Sequence, residues 1–157
     1  MANLDETGAI LDAILSIVHP ALFRVACEVL DKCRKEEDRF ADAVRLWPTC
    51  FNALHLIVNR ETPFHRDTSA RPGWLDLLIS LGSYGKTGIM GLRNLGVSVA
   101  YGTGSIVMLT SRVVMHGVPP APADRLCLAW YMKDIIHHRM GVPDPGWSTI
   151  QQVLHTQ

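Results

Sequence analysis

Residues 88–118 read GIMGLRNLGVSVAYGTGSIVMLTSRVVMHGV, and this stretch decides the fold. It holds four short apolar runs: Gly88–Leu92, Val97–Tyr101, Ile106–Leu109 and Val113–Val118. Each is too short for a stable helix and rich in Val or Ile, and Asn94 and Gly102–Gly104 supply turns between them. Working outward, Phe51–Arg60, Leu75–Leu81 and Leu126–Met132 continue the pattern, broken by Arg71-Pro72-Gly73, Gly82 and Pro119-Pro120. About seven short strands at this spacing predict a barrel or sandwich and exclude a parallel sheet with crossover helices.

Before Cys50 the period is helical. Ile10, Ile14, Ile17 and Val18 recur at three- and four-residue spacing, which predicts one helix with those residues inward, interrupted by Pro20. A second helix is predicted from Ala21 to about Leu46, burying Leu22, Val25, Ala26, Val29, Leu30 and Cys33 and stopped by Trp47-Pro48. The charged cluster Lys32–Arg39 reads as a solvated face or a turn. The expected fold class is mainly β with N-terminal helices. A helical layer over 1–49 packs on a β core over 50–140, and the tail 141–157 is irregular with a helical turn near Ile150–Leu154. The whole is expected to form one structural domain.

Composition narrows the class. The chain has 157 residues, 48% hydrophobic and 19% charged, with a formal net charge of +0. That apolar content excludes a disordered chain, and the balanced charge excludes a globally basic nucleic-acid binder. Acidic residues lead nine to six over 1–49 and basic residues lead nine to six thereafter, a mild asymmetry that permits a basic face on the second part. There is no cationic, apolar leader, and the most apolar stretch, Leu92–Val118, is broken by Arg93, Asn94 and Arg112. A soluble intracellular protein without a membrane partner is expected. The cysteines Cys27, Cys33, Cys50 and Cys127 lack the close pairs of a zinc site and are expected to be reduced.

Chemistry concentrates in three places. His65-Arg66-Asp67 follows the first strand, and residues two apart in an extended segment point the same way, so an imidazole and a carboxylate meet at one point. His116 sits in a later apolar run, and Arg125 begins the strand after that. Two histidines and one carboxylate on one face of a metal leave three positions open, the ligand set of non-haem Fe(II) oxygenases. A guanidinium holds a carboxylate by two parallel hydrogen bonds, as a 2-oxoglutarate co-substrate requires. A His-x-Asp pair alone arises by chance about 0.4 times in such a chain; the order of the four elements on a β-rich chain carries the signal.

These residues, with Met115-His116-Gly117-Val118, resemble the double-stranded β-helix (jelly-roll) core of Fe(II)/2-oxoglutarate dioxygenases, and within them the TET/J-binding-protein branch, especially its small fungal members. The resemblance covers about Phe51 to Met140. It implies Fe(II) held by His65, Asp67 and His116, 2-oxoglutarate anchored by Arg125, and O2 as co-substrate. It further implies oxidation of a methyl group on a nucleobase in DNA, 5-methylcytosine or N6-methyladenine, and nuclear residence if DNA is the substrate. The alternatives are the same chemistry on a protein side chain or small molecule, or a catalytically degenerate binding module. The oligomeric state has no sequence signal.

Further residues invite weighing. Asn59, six residues before His65, is either a donor to the co-substrate carboxylate or a strand-end turn residue. Arg112 is either a pocket or phosphate contact or a solvated strand arginine. His137-His138 read as a solvated strand end, since neighbours cannot face one point. His55 reads as a core or face histidine. Trp74 and Tyr101 read as core before base-stacking. Arg60, Arg66, Arg71, Lys86 and Arg93 read as surface before a phosphate-tracking groove.

Overall fold

The computed structural model describes residues 4–36 and 41–154. The chain divides into two compact units: one runs to Asn52 and resumes at Met132, and the other is Ala53–Tyr131.

The first unit is helical. Helix α1 (Asp5–Val18) ends before Pro20, and α2 (Pro20–Lys35) starts on that proline, where the missing N–H costs nothing. His19 caps α2: its Nδ1 accepts from the Leu22 N–H at 3.2 Å. The inward stripe of α1 is Gly8, Leu11 and Leu15, whereas Ile10 and Ile17 are exposed. The expected face is therefore only partly right, since Ile14 and Val18 are partly buried, and Gly8 marks the side that turns fully inward. A Cβ there would meet the Pro48 carbonyl oxygen at 1.9 Å, so only glycine allows that approach.

In α2 the expected Leu22, Ala26, Val29 and Leu30 are buried, while Val25 and Cys33 are only partly so. The helix does not reach Leu46: Glu36 is extended at φ −66°, ψ 128°, and a separate α3 spans Ala41–Arg45. Of the charged cluster, Glu37–Arg39 lie outside the described residues. After the strands, α4 (Asp134–Arg139) and α5 (Ile150–Leu154) complete this unit. His137-His138 thus sit on a helix, not a strand end, with His137 buried and His138 exposed.

The second unit is all antiparallel β. Its strands are β1 (Ala53–Val58), β2 (Thr62–His65), β3 (Asp76–Gly82), β4 (Ile89–Leu92), β5 (Val97–Ala100), β6 (Ile106–Leu109), β7 (His116–Val118) and β8 (Arg125–Tyr131). They form two four-stranded sheets in the orders β1-β8-β3-β6 and β2-β7-β4-β5. This is a mainly β architecture of the jelly-roll-like kind. Met90, Leu92, Tyr101, Leu109, Val118 and Cys127 form the buried cluster, with Ile57, Leu78, Val99 and Ala129 packed on it.

Three differences from the expected strands bear on the site. β2 had no sequence signal, because four residues with Pro63 and one aromatic show no period. β7 is only three residues long, since the N–H groups of Val113 and Val114 both turn back to the Thr110 carbonyl. Arg112 therefore lies in a turn. The β unit closes at Tyr131 and not near 140, as the chain turns into α4.

Candidate metal centre and anion pocket

Strand pairing brings the histidines together. His65 ends β2 directly opposite His116, which opens β7. Their ring centroids lie 4.4 Å apart. Asp67 follows two residues beyond His65, its N–H donating to the Ser111 carbonyl at 3.1 Å. His65 Nε2 is 3.5 Å from Asp67 Oδ1, and one ligand atom from each of His65, Asp67 and His116 falls within 4.8 Å of the others. The two imidazoles, tilted 50° to each other, are hydrogen-bonded alike. His65 Nδ1 donates to the Pro63 carbonyl at 2.9 Å and His116 Nδ1 to the Val114 carbonyl at 3.0 Å. A carbonyl can only accept, so both rings carry the proton on Nδ1 and keep the Nε2 lone pair for a metal. Burial lowers the His116 pKa, and the charge of His65 adds to this against the Val114 bond, which favours the neutral, ligating ring.

A cavity of about 320 Å³ lies between the two sheets, with His65, Asp67 and His116 on one wall. The opposite wall comes from β1, β3 and β8, whose alternation points His55, Ile57, Asp76, Leu78, Arg125, Cys127, Ala129 and Tyr131 inward.

Arg125 is only 4% exposed. Its guanidinium donates to the carbonyls of Pro119 and Arg60, its Nε is buried with no partner, and no carboxylate among the described residues pairs with it. A buried guanidinium matched only by carbonyl oxygens is a site for an anion, and a carboxylate fits its fork.

Asn59 is not brought to the cavity. Its Oδ1 accepts from the Arg125 N–H at 2.7 Å and its Nδ2 donates to Asp124 at 2.8 Å. At φ 48° it holds a left-handed turn that asparagine tolerates, and it clamps the start of β8. Arg112 is exposed and donates to the Thr68 carbonyl. Trp74 is buried core beside Arg71, and Tyr101 is buried too, its hydroxyl against Cys127 Sγ at 3.2 Å on the cavity wall.

Sequence reasoning missed two polar residues of the cavity, Tyr131 and Asp76. Of the two readings of His55, the face one holds: it is exposed, lines the cavity and pairs with Tyr131 Oη at 3.0 Å. Burial raises the Tyr131 pKa, with the charges of Asp67 and Asp76 adding to it. Asp76 is 4% exposed; Ser111 Oγ donates to its Oδ2, while Oδ1 is buried with no partner. Burial raises its pKa from 3.8 to about 7 against the Ser111 bond, and the charge of Asp67 adds to the rise. The one available signal was a lone aspartate inside the apolar run Leu75–Leu81.

Compared with known protein families, residues 1–134 match Tet_JBP, the oxygenase domain of the 2OGFeDO superfamily. The chain belongs to this family. As a member of it, the protein is a dioxygenase that uses Fe(II), with 2-oxoglutarate and O2 as co-substrates. Comparison with curated proteins found no match. Two imidazoles with free Nε2 atoms and one carboxylate suit Fe(II) while leaving coordination positions open, and the carbonyl-lined guanidinium suits a dicarboxylate. No helix among the described residues of this oxygenase is long and apolar enough to cross a membrane.

Proposed function

We propose that this chain is a double-stranded β-helix oxygenase in which His65, Asp67 and His116 hold Fe(II) and Arg125 holds the distal carboxylate of 2-oxoglutarate. The substrate is a methylated base in DNA, 5-methylcytosine or N6-methyladenine, and the protein acts where that DNA resides, in the nucleus. The observation that carries this reading is the coexistence, in one cavity, of a His-Asp-His cluster and a buried guanidinium with an unpartnered Nε. The interleaved strand orders β1-β8-β3-β6 and β2-β7-β4-β5 support the double-stranded helix, since every hydrogen-bonded neighbour pair except β4–β5 joins strands that are not consecutive in sequence.

Bound Fe(II) would supply the oxidising chemistry, with O2 as the oxidant: one oxygen atom would end in succinate as 2-oxoglutarate loses carbon dioxide, and the other in the substrate's methyl group. The chain's own residues do the rest. Arg125 binds and orients the co-substrate, and the Nδ1–H bonds of His65 and His116 fix the ring planes. Met90, Leu78, Val118 and Cys127 keep the cavity interior apolar, which strengthens every electrostatic contact inside it.

Anaerobic addition of Fe(II) and then 2-oxoglutarate tests the site. A visible charge-transfer band that disappears in His116→Ala is the expected result; no band from folded wild-type protein would overturn the ligand assignment. Oxidation of a methylated oligonucleotide, followed by mass spectrometry, tests the substrate.

A further inference from the structure

Arg125 and Tyr131 are the two ends of β8 and both face the cavity, about 20 Å apart along an extended strand. Asp76, which opens β3, lies beside the Tyr131 end, one step beyond the Leu77–Trp130 pair. The metal-ligating cluster is linked to that end by Ser111. The Ser111 carbonyl accepts from the Asp67 N–H, and the same residue's hydroxyl donates to Asp76 Oδ2. The cavity therefore has an anion end at Arg125 and a second polar end at Asp76, with His65, Asp67 and His116 on the facing wall.

A five-carbon diacid reaching from Arg125 to the metal ligands leaves the Asp76 end free. There, Oδ1 is a buried oxygen with no donor, and unmade hydrogen bonds in low dielectric are costly. On the same wall, Tyr131 Oη and His55 Nε2 are hydrogen-bonded to each other, not to Asp76.

We propose that Asp76 reads the substrate: its Oδ1 accepts a hydrogen bond from an amino group of the base being oxidised, so amino-bearing bases are selected over keto-bearing ones. This rests on the nucleobase reading above. Cytosine and adenine carry an exocyclic amine, whereas thymine presents a carbonyl at the corresponding place. An amine satisfies Oδ1 and, by bonding to the charged form, keeps the carboxyl ionised. A carbonyl sets one acceptor against another, and a site left with an unpaired polar group rejects that substrate. Asp76 is thus a specificity residue. Ser111 positions it.

The test uses the full chain with Fe(II), 2-oxoglutarate and two oligonucleotides of one sequence, carrying either a single 5-methylcytosine or a single thymine in its place. Oxidised products are counted by mass spectrometry. The wild type is expected to favour 5-methylcytosine by about tenfold or more. In Asp76→Asn the amide oxygen stays on Ser111 and the NH2 faces the cavity, so the preference falls by about tenfold or inverts. Partial misfolding lowers both products together and leaves their ratio alone, so the ratio isolates recognition. If Asp76→Asn does not fold, Ser111→Ala, which frees the carboxylate without removing it, lowers the ratio in the same direction. An unmoved ratio, or a wild-type preference for thymine, overturns the role of Asp76 alone. Wild-type protein that turns 2-oxoglutarate into succinate yet oxidises neither of these bases, nor N6-methyladenine in a third oligonucleotide of the same design, overturns the nucleobase reading, and this inference with it.

Discussion

His65 and His116 face each other across β2 and β7, and each donates its Nδ1–H to the backbone carbonyl two residues earlier in its own chain segment. The pair is thus oriented by local backbone and not by other side chains. Its geometry survives substitutions elsewhere in the cavity but not displacement of either strand.

Removing a ligand therefore acts on metal affinity first. His116→Ala and Asp67→Ala should each weaken Fe(II) binding by at least about a hundredfold, read by anaerobic titration, because each removes one of three protein donors. His116→Ala should also cost some stability, since it empties a buried position, whereas Asp67→Ala should not. Unchanged iron affinity in both variants would be incompatible with the cluster holding the metal.

Arg125→Lys separates the two ends of the cavity. Lysine keeps the charge but loses the fork and cannot reach the Pro119 and Arg60 carbonyls in the same geometry. 2-Oxoglutarate affinity should fall about ten- to a hundredfold while Fe(II) affinity holds, as measured by titrating each in turn. Equal loss of both would mean that Arg125 supports the fold of the site and not the co-substrate.

Two glycines guard the strand spacing. A Cβ on Gly117 would lie 3.0 Å from both the Phe64 backbone nitrogen and its Cδ1, and one on Gly91 would lie 2.8 Å from the Phe64 ring. Gly117→Ala must push β2 from β7, and should cost about 1–3 kcal/mol in thermal or denaturant unfolding. It should weaken Fe(II) binding as well, because His65 moves with β2. Gly91→Ala meets only the end of an exposed ring and should be milder on both counts.

Asp76 gives a pH signature. Its carboxyl titrates near 7 when folded against 3.8 in its ordinary state. Between those values the unfolded chain has released a proton that the folded chain retains, so this group's contribution falls as pH rises through the window. Asp76→Asn cannot titrate. Its melting temperature should exceed the wild type's at pH 8, with the gap closing toward pH 4. The ceiling is roughly 4 kcal/mol at about 1.4 kcal/mol per pH unit. A gap that widens toward acid would refute the sign.

Most of the strands, and the meeting of His65 with Asp67, were legible for a physical reason. Short Val- and Ile-rich runs between glycine turns have one common solution, and His-x-Asp on an extended segment fixes two side chains to one side. What was not legible depends on partners distant in sequence. The stripe on α1 is chosen by Pro48 passing over Gly8, not by the period of Ile10, Ile14 and Ile17. Asn59 is drawn from the cavity by Asp124 and the Arg125 amide, 65 and 66 residues away. Tyr131 and His55 become a cavity pair only through the register of β1 on β8, and nothing local marks either.

β8 is hydrogen-bonded on both sides, to β1 across six residue pairs and to β3 across six more. By contrast, β2 meets β7 through an irregular register over a strand of three residues. The amide protons of Leu126 to Trp130 should then exchange with solvent only when the whole β unit opens, while those around His65 and His116 exchange through small local openings. Arg125 rides on the slow-exchanging strand, and His65 and His116 on the fast ones. On the proposed assignment, the co-substrate end is thus built before anything binds, and the metal end gains most of its rigidity from its occupant.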